Sequence, residues 1–219
     1  MEDLVYLDNA ATTFPKPECV YTTMDKFTRT NGVSLGRGQH ILSAKASSIA
    51  DETRELLLQL FHCSNKKVVF TNTATEALNI ILKGINISNG VNIYISPFEH
   101  NAVTRTLHYL LQKDDFNIIE LNADKKTFTL DADKIKAQFE KNPPFAVIVS
   151  HVSNVIGSVA PIEQIFSLAK KYGAITIADM CQSAGLIDTD ISSSIYDYIV
   201  FAGHKTLYGP LGISGFISS

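Results

Sequence analysis

Seven short apolar runs punctuate the chain, at Lys67–Thr71, Val91–Ile95, Asn117–Leu121, Phe145–Ser150, Ala174–Ala178, Tyr198–Phe201 and Ile213–Ile217. Their length and β-rich content predict strands. Between most of them, apolar residues recur at helical spacing over Thr75–Gly84, Asn101–Gln112, Asp131–Glu140 and Pro161–Tyr172. A further helix is expected before the first strand. In Ser43–Phe61 the residues Ala46, Ile49, Ala50, Thr53, Leu57 and Leu60 fall on one face. Pro161 suits the first turn of its helix, and Gly173 suits the left-handed position that ends it. Alternation of strand and helix requires crossover connections. The expected fold is therefore α/β, a three-layer sandwich with a mostly parallel seven-stranded sheet between two helical layers.

The opening segment stands outside this alternation. Leu4–Leu7 reads as a short strand, Asp8-Asn9-Ala10-Ala11-Thr12-Thr13 is polar and small, and a helix follows Pro17. Residues 1–30 are thus expected to form an N-terminal arm, and residues 31–219 one large domain. Gly32, Gly36 and Gly38 mark an exposed loop up to His40.

Composition narrows the class. The chain has 219 residues, 45% hydrophobic side chains and a net charge of −3, enough for one sizeable core. Mild acidity gives no reason to invoke nucleic acid or an anionic membrane. No apolar run approaches the roughly 20 residues needed to span a bilayer. The acidic start, Met1-Glu2-Asp3-Leu4, lacks the positive charge of a signal peptide. Cys19, Cys63 and Cys181 are odd in number and scattered, which points to reduced thiols in a cytoplasm. None has a metal-ligand spacing, so no metal is expected.

Polar clusters come directly after the strands, where open α/β sheets bind ligands. Thr73 and Glu76 in Thr71-Asn72-Thr73-Ala74-Thr75-Glu76 have capping-box spacing, so a helix starts here with free N–H groups. That start either binds a phosphate or is an ordinary capped helix. In Ser96-Pro97-Phe98-Glu99-His100-Asn101, His100 either lies against a ligand ring or is simply solvated. Asn154, in His151-Val152-Ser153-Asn154, either donates to a ligand hydroxyl or holds its turn. Asp179 ends a buried strand and would be costly there without a partner. Cys181 reads as a small packing residue rather than a nucleophile. Last comes Lys205, in Phe201-Ala202-Gly203-His204-Lys205-Thr206-Leu207-Tyr208-Gly209. A lysine amine and a strand-end carboxylate are what pyridoxal phosphate requires: one joins the aldehyde as a Schiff base, the other keeps the ring nitrogen protonated. No single cluster is specific, but all of them fall at one sheet edge.

On these residues the chain resembles the class V aminotransferase family of fold type I pyridoxal-phosphate enzymes, in its cysteine desulfurase and selenocysteine lyase branch. The opening Tyr6-Leu7-Asp8-Asn9-Ala10-Ala11-Thr12-Thr13, the loop Gly36-Arg37-Gly38-Gln39-His40, the Asp179-Met180-Cys181-Gln182 motif and the Lys205 motif carry the likeness. The resemblance implies that Lys205 is joined to pyridoxal 5'-phosphate and later moves the substrate Cα proton. It places His204 and Thr75, with the Ala74 amide, on the phosphate and His100 against the ring. Asp179 would face the ring nitrogen, and Gln182 the ring hydroxyl, with Asn154 near it. Asn9, Ala10 and Arg37 would belong to a substrate and dimer loop. Ala202 departs from the family, where many relatives have serine.

The resemblance further implies that relatives continue into a smaller C-terminal domain, absent from this chain, which carries the sulfur-accepting cysteine. The expected activity is removal of sulfur from L-cysteine to give alanine and a persulfide, with a homodimer and a sulfur-acceptor protein as partners. Selenocysteine lyase, transamination, or a non-catalytic assembly module that keeps the sheet are the alternatives.

Overall fold

The computed structural model describes residues 5–219. Its strands are β1 Lys67–Thr71, β2 Asn92–Ile95, β3 Asn117–Glu120, β4 Pro144–Ser150, β5 Ile175–Asp179, β6 Tyr198–Ala202 and β7 Ser214–Ser218. The helices are α1 Glu18–Asn31, α2 Ile41–Leu60, α3 Ala74–Gly84, α4 Asn101–Leu110, α5 Ala132–Lys141 and α6 Ile162–Lys170. All seven strands join one sheet in the order β1-β7-β6-β5-β4-β2-β3. The pairs from β3 through β2, β4 and β5 to β6 are parallel, and β7 runs against both of its neighbours. The expected mostly parallel seven-stranded α/β sheet is what forms.

Both sheet faces are covered, because successive strand residues point to opposite sides. Tyr94, Val147, Val149, Ala178 and Phe201 pack on one side with Phe61 of α2's end, Phe139 of α5 and Phe166 of α6. Ile93, Ile148, Ile177 and Val200 pack on the other with Leu78 and Leu82 of α3 and Leu107 of α4. Strands buried on both faces read as unbroken apolar runs, which explains why they stood out in the sequence. Gly215 of β7 is needed for this packing: a Cβ there would lie 2.3 Å from the Val69 carbonyl oxygen.

Helix ends deviate modestly from expectation. Pro161 precedes its helix as the N-cap rather than lying in its first turn, and α6 stops at Lys170. The residues beyond it form a turn that Gly173 closes at φ +72°. The expected strand at Leu4–Leu7 is corrected. Leu4 lies outside the described residues, and Val5 to Leu7 pair with no neighbouring strand, leaving Val5 and Leu7 on the surface. Strand-like composition that pairs with no neighbour makes no strand. The expected face of α2 is only partly buried. Ala46 and Leu57 are inside, while Ile49 and Leu60 are exposed.

Candidate functional site

The connection through α3 carries the chain from β1 at one edge across to β2, so every parallel strand ends on the same side of the sheet. There the strand ends and the starts of α3 and α4 enclose a hollow of about 240 Å³. Ala74, Thr75, His100, Asn154, Asp179, Gln182, His204 and Lys205 all line it. Eight residues drawn from five separate stretches of sequence thus meet in one place.

The wall at α3 is a helix N-terminus. Thr73 caps it, its Oγ1 accepting the Glu76 N–H at 3.0 Å. Glu76 returns its carboxylate to the Asn72 N–H at 2.9 Å, one residue earlier than a capping box would place it. The amides of Ala74 and Thr75 have no protein partner among the described residues. Two free N–H groups and the positive end of the helix dipole make this wall attractive to an anion. Opposite, His100 caps α4 by accepting the Ala102 N–H on Nδ1 at 3.1 Å. That bond leaves Nε2 as the protonated nitrogen and holds the ring against the hollow.

Asp179 ends β5 and is buried. Its Oδ1 accepts the Cys181 N–H at 2.9 Å, and Oδ2 has no partner among the described residues. A buried carboxylate oxygen without a donor is stabilised by a cationic N–H brought from outside. Lys205 sits just past β6, on a turn closed by Gly203 N–H to Ile213 O at 3.0 Å and Gly209 N–H to Gly203 O at 2.7 Å. Gly209 could not be larger, since a Cβ there would stand 2.9 Å from the Gly203 oxygen. Among the described residues the Lys205 amine makes no ion pair. Burial, together with the charges of Lys205 and Lys16, holds His204 below the ordinary histidine range.

The remaining expected residues lie outside the hollow. Asn9 and Ala10 line a neighbouring depression that shares Gln182 with it. The Gln182 side-chain amide is tied there, donating to the Ala10 carbonyl at 2.8 Å. Arg37 is exposed on its glycine-rich loop and contributes nothing to the wall.

Cys181 does line the hollow. Burial and the neighbouring Asp179 push its thiol well above the usual range, against the opposing pull of Lys205, so it is a neutral packing group.

One acidic residue that the sequence did not single out belongs to this edge. Glu99 accepts Ser96 Oγ and the Ser150 N–H, both at 2.5 Å, and Ser150 Oγ at 2.9 Å. It thereby ties the loop carrying His100 to the end of β4. Burial pushes its carboxyl up to about 7 despite the Ser96 hydrogen bond, and the Asp179 charge adds to the rise. The Ser96 and Glu99 spacing resembles a helix cap, but α4 starts later, so local pattern alone gave no reason to pair Glu99 with Ser150.

Comparisons with known proteins agree with this fold. A probable cysteine desulfurase from Halalkalibacterium halodurans is 33% identical over 96% of this chain and 52% of its own length. The solved apo cysteine desulfurase from Thermococcus onnurineus NA1 superposes with a TM-score of 0.90 at 28% identity, over 99% of this chain and 54% of that one. A structure of SspA in complex with cysteine matches with a TM-score of 0.84 at 26% identity, over 97% of this chain and 60% of that one. The chain spans about half the length of the curated relatives it matches. The family model for class-V aminotransferases covers residues 5–218, so the polar edge of this sheet is that of a member of the class-V aminotransferase family.

Proposed function

We propose that this chain is the cofactor-holding part of a pyridoxal-phosphate-dependent cysteine desulfurase. The observation that carries the reading is the hollow itself. Within it an unpaired amine, a buried carboxylate with a free oxygen, and a helix N-terminus with two free amides face one space. That donor set fits pyridoxal phosphate: Ala74, Thr75 and His204 suit the phosphate, His100 the ring face, Asp179 the ring nitrogen and Lys205 the aldehyde. Asn154 and Gln182 lie where a ring hydroxyl would need donors. When bound, the cofactor supplies an electron sink for the carbon bearing the substrate amine.

The chain's own residues then have definite tasks. With the cofactor bound, Asp179 would keep a proton on the ring nitrogen by charge. Lys205 Nζ would hold the aldehyde and would be the base for the substrate Cα proton. The Ser96–Glu99–Ser150 bonds hold the loop that carries His100.

Cysteine as substrate is supported by relatives named cysteine desulfurase and by the SspA structure solved with cysteine, and a homodimer and a sulfur-accepting partner are proposed with it. Of the three cysteines, Cys181 is held neutral, and neither Cys63 nor Cys19 lines the hollow. In this reading none of the three is the sulfur-accepting thiol.

The test uses the purified chain titrated with pyridoxal phosphate and reduced with borohydride. A visible absorbance and a label on Lys205, both lost in Lys205→Ala, are expected. Label distributed over surface lysines, with the same absorbance in Lys205→Ala, would refute the assignment.

A further inference from the structure

Ahead of α1, the N-terminal arm is fastened mainly to the lysine turn, with one further bond from Gln182 to Ala10. The His204 carbonyl oxygen accepts three donors from it: the Thr13 N–H at 3.1 Å, Thr12 Oγ1 at 3.0 Å and Lys16 Nζ at 3.2 Å. The next carbonyl, that of Lys205, accepts Thr13 Oγ1 at 2.7 Å. These bonds join residues some 190 positions apart in the chain. The apolar residues of the arm do not explain the attachment, since Val5 and Leu7 are 76% and 86% exposed. Within the arm, Tyr6 shapes the loop instead, its single hydroxyl proton shared between the Asp8 and Thr12 carbonyl oxygens at 3.0 and 2.9 Å.

Ordering an irregular segment costs roughly 1–2 kcal/mol of backbone entropy per residue, and here polar hooks oppose that cost at one point. Lys16 spends its amine on the Thr13 and His204 carbonyls rather than on a carboxylate. Thr12 also reaches the side chain of the same residue, its Oγ1 lying 3.0 Å from His204 Nδ1. One hydroxyl thus touches both the carbonyl and the imidazole of His204.

We infer that Thr12, Thr13 and Lys16 form a latch that positions Lys205 and the imidazole of His204. They are positioning residues, acting through the two carbonyls and the imidazole. The inference rests on the proposed use of Lys205 for its functional consequence, but the latch itself can be tested without a cofactor.

Two measurements decide it. In the apo chain, the ring nitrogens of His204 are read by 15N chemical shift, and the amides of residues 203–206 by hydrogen exchange. Thr12→Val should shift the ring nitrogen resonances of His204, and Thr13→Val should speed exchange across the turn. In titrations with pyridoxal phosphate, Thr13→Val should bind about fivefold more weakly, as for loss of one of the two hydrogen bonds to the Lys205 carbonyl, which keeps the Tyr208 N–H. Thr13→Ser, which keeps the hydroxyl, should stay within about twofold of wild type. If Thr13→Val does not fold, Lys16→Met takes its place in both measurements, with a smaller loss of affinity.

Unchanged ring shifts and unchanged exchange in the variants would overturn the latch. So would equal cofactor affinity in Thr13→Val and wild type. If wild type itself binds no pyridoxal phosphate, the proposed function fails, and the apo measurements alone then support or overturn the latch.

Discussion

The body of the sheet and the N-terminal layer are built to different standards. Around β2, β4, β5 and β6 the apolar side chains of both faces meet helices, and Ile148, Phe166 and Ile177 are wholly buried. In the layer made by α1 and α2 the helices touch each other, yet Met24, Ile49, Leu56 and Leu60 remain at least 41% exposed. An apolar depression between those helices and the Gly209–Pro210 turn includes Asn31, whose buried amide has no partner among the described residues. The sheet body closes its own core, whereas the N-terminal layer owes its place to a few polar contacts and a half-covered helix. Stability and chemistry are therefore unevenly spread: the site rests on the closed part, and the open part reaches it only through the arm.

Three substitutions would break or sharpen that contrast. The largest effect belongs to the closed body. Phe166→Ala removes a ring that is fully buried and stacked edge-on with Tyr196 at 5.8 Å. It should cost about 3–5 kcal/mol in urea unfolding. A loss below about 1 kcal/mol would mean that the core is much looser than its packing indicates.

Next comes Glu99, where the body carries a charge at its functional edge. Its folded pKa of about 7 lies above the ordinary 4.5, so the folded state holds this proton more tightly than the unfolded one. Stability then falls as pH rises from about 4.5 to 7, and the full penalty is present above that range. Glu99→Gln keeps the size and can still bond Ser96 and Ser150. It should be more stable than wild type at pH 8 by about 2–3 kcal/mol, with the difference vanishing near pH 4. Thermal unfolding across that range reads it, and parallel pH curves would remove the buried-carboxyl account.

The smallest effect is expected in the open layer. Leu60→Ala, at a position 43% exposed, should change stability by no more than about 0.5 kcal/mol. A loss of 2 kcal/mol or more on urea unfolding would show that this face is covered in solution.

Much of the sheet was legible because its strands are buried on both sides. Runs such as Ala146-Val147-Ile148-Val149 cannot be solvated, and crossover helices between them leave few arrangements. The candidate site was legible because loops after parallel strands converge, so Thr75, His100, Asp179 and Lys205 could be grouped before any coordinates. The arm was less legible. Val5 to Leu7 has strand-like composition, but no sheet edge accepts it. Glu99 carried no local signal, because its partner Ser150 is 51 positions away.

Sequence by itself determined the layers, the parallel sense of most strands and the residue types gathered at their ends, since hydrophobic period and turn chemistry are local properties. Only the tertiary structure decided which polar atoms find partners. The threonines on the lysine turn, the shared Glu99 carboxyl and the free oxygen of Asp179 depend on distances between segments far apart in the chain. Hydrogen bonds of that kind are set by the packed fold and leave no periodic trace in the order of residues.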